Sequence, residues 1–467
     1  MIAKFEDRKH QYFYGICLIF FGFIVFRGLF SLHYFIYSGW DIGIYARAVH
    51  QIANDGIFNP YVELINKGIF NDHLDPIIFL AAPFAKFFPA NYVVYFFMII
   101  SIITAIILFT RFALKEARHP IIALFSISFM LLNDGVVKAI IYPPHPTTWA
   151  ILPVFFLCYF LYQRNNIGTF LTFLVLCLYK ESFPFIGIPL SLVLWRRKSV
   201  YLSLITVSIS FGLIIFHKFY WHEFVGPLTD FGGRLIHLII NDPYFLLQRA
   251  LSKGNVKMLL YLFGPMTIFA ITLRTFNPVY LFVGSPLFLM RFLNGMWHLH
   301  YSAAISFFII FSLFKKNELQ ISPKRISSKV LVIPLIFVLT HGAGPGIQAI
   351  KVIKKEAVFQ RSFKSSFIKM KEFLPLNKKI RILSTGSIIP HLHNYKVYGF
   401  SKVPDTNIQF DYVIIQKLKG DWYPVSGENR KRIISNISSQ KESILFEDKN
   451  LALIKGPLRE SQFLTTL

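Results

Sequence analysis

Three things are scarce in this chain, and each scarcity excludes something. There are three cysteines in 467 residues, Cys17, Cys158 and Cys177. All lie inside apolar runs, so no disulfide framework is implied and each reads as a small buried hydrophobe. Charged residues make up 16% of the chain, against roughly 25% in soluble globular proteins. That is too little solvated surface for a soluble fold. Acids are the scarcest, with 24 Asp and Glu against 49 Lys and Arg and a net charge of +25. Such an excess would suit nucleic acid if it formed a patch. Here the basic residues sit largely in short connectors between apolar runs, where Lys and Arg mark the cytoplasmic side of a membrane. Nucleic-acid binding is therefore not the explanation. No internal repeat and no low-complexity tract is present.

What the chain has is apolar length. It is 54% hydrophobic and 17% aromatic, and its apolar runs approach the roughly 20 residues that cross a bilayer as a helix. The pattern predicts an all-α polytopic membrane protein with about eleven transmembrane helices over residues 1–344, ends being uncertain by several residues. The first run, from about Phe13 to Ser31, follows Lys4, Arg8 and Lys9. It is longer than a signal-peptide core and lacks a small-residue cleavage pattern, so it reads as an uncleaved anchor with a cytoplasmic N-terminus. Residues 32–91 then form an external loop. Within it Ile42, Tyr45, Val49 and Ile52 recur at helical spacing, and 76–88 is apolar but too short to span, so both segments are expected as interfacial helices. Arg196-Arg197-Lys198 marks the inside. From 345 to 467 the pattern changes to a small soluble α/β domain, with strands expected near 380–383, 411–415, 443–446 and 451–454 and a helix at 428–437. An odd number of spans puts this domain outside, whereas Lys351, Lys354 and Lys355 beside the last run argue for inside. Outside is the expectation.

Given how few acids there are, their position matters. From Leu32 to Asp75 the carboxylates are Asp41, Asp55, Glu63, Asp72 and Asp75, against only Arg47 and Lys67. Under the expected topology the unusual polar motifs all fall at external ends of spans: Asp41, Asp72-His73-Leu74-Asp75, His145, Lys180-Glu181, Arg291 and His300-Tyr301. Each has a plain structural alternative. Asp41 is either an N-cap or a general base that takes a proton from an acceptor hydroxyl. Asp72, His73 and Asp75 form either a hydrogen-bonded turn or a divalent-metal site, although their spacing matches no specific metal pattern. Pro143-Pro144-His145-Pro146 is a rigid loop in which His145 is a hydrogen-bonding group. Lys180 and Glu181 are either a mutual ion pair or functional groups facing a cavity, with Lys180 suited to a lipid phosphate. Arg291 either snorkels or makes a second phosphate contact. His300 and Tyr301 are interface anchors or substrate contacts.

Trp-Asp-Ile-Gly-Ile-Tyr at 40–45, Asn-Asp-His-Leu-Asp-Pro at 71–76, His145-Pro146, Lys180-Glu181 and His300-Tyr301 resemble a family of uncharacterised bacterial and archaeal predicted membrane proteins. That family is similar to the GT-C superfamily of polytopic glycosyltransferases. The resemblance covers nearly the whole chain, including Ile389-Pro390-His391-Leu392. It implies a bacterial cytoplasmic membrane enzyme of the cell envelope that uses a polyprenyl-phosphate sugar donor, with Asp41 as base and a basic site for the lipid phosphate. The chain has no Asp-x-Asp. The alternatives are a lipid or polyprenol-sugar transporter that binds without chemistry, and a structural membrane protein whose external domain docks a partner.

Overall fold

The computed structural model describes residues 28–33, 39–117, 120–132, 143–216, 276–294, 302–314, 362–375, 379–400, 407–417 and 427–464, with isolated residues between them. The helices of the bundle are α1 (Gly39–Asp55), α2 (Ala90–Glu116), α3 (Pro120–Leu132), α4 (Ile151–Gln163), α5 (Asn166–Cys177), α6 (Gly187–Arg196), α7 (Val200–Ile215), α8 (Pro278–Asn294) and α9 (Ser302–Phe311). Among the described residues, α2 alone is long and apolar enough to cross a membrane unaided. Its 27 residues reach about 40 Å at 1.5 Å per residue, beyond a hydrocarbon core of about 30 Å. The apolar helices at Asn166–Cys177, Phe183–Arg196, Val200–Ile215 and Pro278–Met290 run 10–17 residues. The spans expected near 257–273 and 330–340 lie outside the described residues, except for Phe263.

Lipid tails are as apolar as the side chains facing them, so helices in a bilayer associate through packing and polar contacts. Here the packing is aromatic. Phe112 of α2 stacks on Phe311 of α9 at 4.8 Å and meets Tyr162 of α4 edge-on at 5.0 Å. Phe109, Phe155 and Phe307 continue the cluster, with Phe109–Phe307 at 6.0 Å and Phe155–Phe307 at 6.1 Å. Where α6 crosses α5 and α7, a Cβ on Gly187 would collide with Ser210 Oγ and the Phe173 ring, so a glycine is needed for the approach.

Tight turns at one end of the bundle collect its cations. Arg164 closes α4 in a left-handed conformation and Asn165 caps α5 by accepting the Gly168 N–H at 2.9 Å. Arg197 donates to Leu161 O at 2.7 Å and to Asn166 Oδ1 at 3.4 Å. Arg164 and Arg197 thus stand at one end of α5 and Lys180-Glu181 at the other.

The C-terminal unit is an α/β fold around a five-stranded sheet. Its strands are β1 (Arg381–Ser384), β2 (Lys396–Gly399), β3 (Phe410–Gln416), β4 (Ile444–Glu447) and β5 (Leu451–Leu458), in the order β2-β1-β3-β5-β4. β1 runs parallel to both β2 and β3, while β5 is antiparallel to β3 and β4. Four strands match expected segments; β2 is additional. One face packs Leu383, Val413, Ile415 and Ile454 against Ile433 of the helix Gly427–Ser435. The other face, through Ile382, Ile414 and Leu453, joins the core that contains the membrane-side helices.

This docking places the C-terminal unit on the same side as the loop 32–91. The 3-10 segment Gly386–Leu392 lies against α1, so tightly that a Cβ on Gly43 would come within 2.8 Å of Ile389 Cγ2. α1 carries the predicted spacing, but protein covers it: Ile42, Tyr45 and Val49 are buried, and the helix packs against the Gly386–Leu392 segment, the Ala82–Lys86 turn and α2. The segment 76–88 instead forms two 3-10 turns, Pro76–Leu80 and Ala82–Lys86, and exposes Leu80, Phe84, Phe87 and Phe88, an apolar edge suited to lipid.

Arg47 fastens the junction. Its Nε and Nη2 donate to the two oxygens of Glu63, each at 3.2 Å, and its Nη1 donates to His393 O at 3.1 Å. Both partners are buried, and removing one partner of a buried ion pair costs about 3–5 kcal/mol because the other charge is left uncompensated. Glu63→Ala is therefore expected to lower unfolding stability by about that amount and to open the C-terminal unit to protease. Denaturation and limited proteolysis of the full chain in detergent measure this, and a variant that behaves as wild type would remove the clamp from the account.

Candidate functional site

The loop segments converge on Tyr45. Asp41 and Tyr45 are four residues apart in α1, so both lie on one face, with Asp41 half-buried in the first turn. The helix begins at Gly39, which puts Asp41 inside it and not at its N-cap. The Tyr45 hydroxyl donates to Asp75 Oδ2 at 2.7 Å and lies 3.0 Å from His145 Nε2. His145 Nδ1 accepts the Thr147 N–H at 3.1 Å, so geometry assigns the ring proton to Nε2, from which it is donated to the Tyr45 oxygen. The chain of donors runs His145, Tyr45, Asp75.

Prolines set two of these residues in place. A residue before proline is driven from the helical region, and His145, preceding Pro146, is extended at φ −142°, ψ 141°. The one-turn helix Pro146–Trp149 then supplies the N–H that fixes the ring. Asp75 precedes Pro76, and the next N–H, of Ile77, bonds to Leu178 O at 3.0 Å. That bond ties the loop to the end of α5 and brings His73 to Glu181, Nδ1 to Oε1 at 3.2 Å. Lys67 holds Asp72 at 2.7 Å, and the rings of His73 and His145 are 6.2 Å apart.

The electrostatics follow from burial. Asp75 has no exposed surface. Burial pushes its carboxyl up to about 6, against the pull of Lys180 and His73, so the carboxylate still prevails by roughly ten to one at pH 7. Burial, reinforced by Asp75 and more weakly by Asp72 and Asp41, raises the Tyr45 hydroxyl well above its usual range, and it stays a donor. Burial opposes ionisation of Asp72, but His73, Lys67 and Lys180 outweigh it and hold this carboxyl low. His73 is raised: burial and Lys180 disfavour its charge, and Glu181 and Asp72 overcome them. Buried Lys180 therefore acts on three of the cluster's titratable groups.

The structure thus brings together Asp41, Asp72, His73, Asp75, His145, Lys180 and Glu181 from four separate stretches. The Arg291 side chain and residues His300 and Tyr301 lie outside the described residues. Sequence reasoning missed Tyr45 and Lys67. In the sequence Tyr45 reads as one of the apolar positions of its helix and as the end of the 40–45 motif, although its place one turn after Asp41 is visible there. Among the described residues no group of three or more His, Cys, Asp or Glu side chains is arranged to hold a metal ion. Asp72, His73 and Asp75, for which the sequence leaves open a hydrogen-bonded turn or a metal site, are engaged with Lys67, Glu181 and Tyr45.

Beside the cluster lies an apolar cavity of about 590 Å³ lined by Ile77, Leu80, Phe84, Phe96, Trp149 and Tyr179 among others. Ile77 is two residues from Asp75, Trp149 is four from His145, and Tyr179 adjoins Lys180. An apolar slot thus lies beside a charged cluster whose Asp75 and Lys180 are buried.

A family model described as "Predicted membrane protein (DUF2079)" matches residues 32–344. The chain belongs to that family. No curated protein matches this DUF2079 chain. Among solved structures, the crystal structure of ArnT from Cupriavidus metallidurans bound to undecaprenyl phosphate is similar to it, with a TM-score of 0.54 and 11% identity over 95% of this chain and 99% of ArnT. At that identity the likeness concerns the fold alone.

The raised carboxyl of Asp75 has a consequence for stability. Its value of about 6 when folded lies above about 3.9 unfolded, so ionisation opposes folding. This group's contribution is most favourable below about pH 4 and is lost as pH rises through 6. Asp75→Asn, which keeps an acceptor for Tyr45, is expected to flatten the stability curve between pH 4 and 6 and to gain on the order of 1–3 kcal/mol at pH 7. Unfolding of both proteins across that range tests it; a variant less stable at pH 7 with the same pH slope would contradict it.

Proposed function

We propose that this protein is a membrane glycosyltransferase that moves a sugar from a polyprenyl-phosphate-linked donor to an acceptor on the external face, with Asp41 as general base. The observation that carries the reading is the pairing of Asp41 and Tyr45 on one face of a covered helix, over a cluster of ionisable groups, buried at Asp75 and Lys180 and half-buried at Asp72, His73 and Glu181, that adjoins an apolar slot. Burying this much charge is expensive and persists where it does chemistry or binding. The fold likeness to ArnT, itself bound to undecaprenyl phosphate, supports a polyprenyl-phosphate partner for this chain.

In this reading the lipid chain occupies the slot lined by Phe84, Phe96 and Trp149, which brings its phosphate to Lys180. The acceptor oxygen attacks the anomeric carbon and the bond from that carbon to the phosphate oxygen breaks. Asp41 takes the acceptor proton, and polyprenyl phosphate departs with the bonding pair, its charge met by Lys180. The sugar configuration inverts. Tyr45, fixed between Asp75 and His145, closes the wall beneath Asp41, and His73 with Glu181 holds the loop against α5. Arg291 is a second candidate for the phosphate, and His300 and Tyr301 are candidates for the sugar or acceptor. The loop and the C-terminal unit both lie on the outer side of the bacterial cytoplasmic membrane.

Removing a positioned base costs typically 10²–10⁴-fold in rate. Asp41→Asn at matched expression is expected to lose sugar transfer by at least about 100-fold while donor binding survives. Radiolabelled polyprenyl-phosphate sugars supplied to membranes, with capture of labelled glycan, lipid or protein, measure this. Persistent transfer would remove Asp41 from the chemistry. Donor binding with no transfer by the wild type would favour a transporter instead.

A further inference from the structure

A second cavity lies on the other side of α1, and the reaction just described does not use it. It measures about 430 Å³ and is enclosed by α1, the turn Ala82–Lys86, the start of α2, the end of the helix at 362–371 and residues 391–394. Its polar wall includes His50, Lys86, Asn91, Lys371, His391 and His393, with no Asp or Glu among the lining residues. In a chain whose loop 32–91 gathers acids, a pocket without one stands apart. Helix geometry separates it from the first site: Asp41 and His50 are nine residues apart, which at 3.6 residues per turn turns their side chains about 180° from each other.

We propose that this cavity is a binding site for a phosphate-bearing anion, held between the membrane-side loop and the C-terminal domain. Lys86 and Lys371 are exposed at its rim and supply full positive charges from the two sides of the junction. The histidines supply polar contacts in place of charge. Burial, reinforced by His393, Lys371 and His33, pushes the His391 imidazole down to about 3. Burial likewise lowers His393 to about 4, with His50, Lys371 and Arg47 adding to it against its bond to Pro390 O. Asn54 Nδ2 donates to His50 Nδ1 at 3.1 Å, which leaves the His50 ring proton on Nε2. An anion between these groups neutralises cations contributed from the two sides of the domain junction and so ties those sides together. Exposed Phe87 and Phe88 beside Lys86 put the mouth at the lipid surface, where a phosphate arrives either as a lipid headgroup or free in solution.

The test is a binding titration of the full-length protein in nanodiscs of zwitterionic phosphatidylcholine. Two probes are used, inorganic phosphate and short-chain phosphatidylglycerol. The proteins are the wild type, the double variant Lys86→Ala with Lys371→Ala, and Lys115→Ala, an exposed lysine at the far end of α2. The wild type is expected to bind at least one probe saturably, the double variant at least about tenfold more weakly, and Lys115→Ala as wild type. Binding of both probes assigns the site to phosphate itself, and binding of phosphatidylglycerol alone assigns it to a lipid headgroup. Absence of saturable binding to the wild type overturns the proposal, as does a double variant that binds unchanged or a Lys115→Ala loss equal to that of the double variant. Because neither rim lysine belongs to the Asp41 cluster, failure here leaves the transferase reading standing.

Discussion

The interaction on which this end of the molecule depends is the buried hydrogen bond from Tyr45 to Asp75. A carboxylate with no exposed surface persists only if neighbours compensate it, and supplying that compensation dictates much of the surrounding structure. Tyr45 has to sit on a covered face of α1. His145 has to be held extended by Pro146 and locked by Thr147 so that its Nε2 meets the same hydroxyl. Lys180 has to be carried, buried, to the cluster at the end of α5. The bond between Ile77 N and Leu178 O then joins the two halves of the cluster.

α1 is where these requirements meet. One face turns Asp41 and Tyr45 toward the cluster, and the opposite face carries His50 toward the C-terminal domain. Arg47, between them, binds Glu63 and the His393 carbonyl, so the helix cannot shift without disturbing both sides. The C-terminal domain therefore helps to hold the floor of the site from behind.

Much of this was legible in the sequence, for identifiable reasons. Hydropathy runs and Lys/Arg asymmetry are strong signals because the bilayer enforces them, and they place Asp41, His145 and Lys180-Glu181 at one end of the bundle. The sheet strands were legible because Ile382, Val413 and Ile454 alternate or cluster as buried strands do. Other features rest on tertiary contact and leave little local trace. α1 was read as interfacial because amphipathic spacing looks alike whether lipid or another domain covers it. Tyr45 was hidden among apolar residues because a buried tyrosine differs from a phenylalanine only by the partner of its hydroxyl, which here comes from residues 30 and 100 positions away. Charge counting is ambiguous about the side of the C-terminal domain, and its packing against α1 at Gly43 and Arg47 is a tertiary contact that leaves no local trace.

The central claim is that sugar and phosphate meet at Asp41 and Lys180. It is tested most directly by an experimental structure of the protein in lipid with a non-transferable phosphonate analogue of a polyprenyl-phosphate sugar. The account predicts the anomeric carbon beside the Asp41 carboxylate, the phosphonate against Lys180 and the prenyl chain along Phe84, Phe96 and Trp149. An analogue seated elsewhere, with the Asp41–Tyr45 face covered and unchanged, would contradict it.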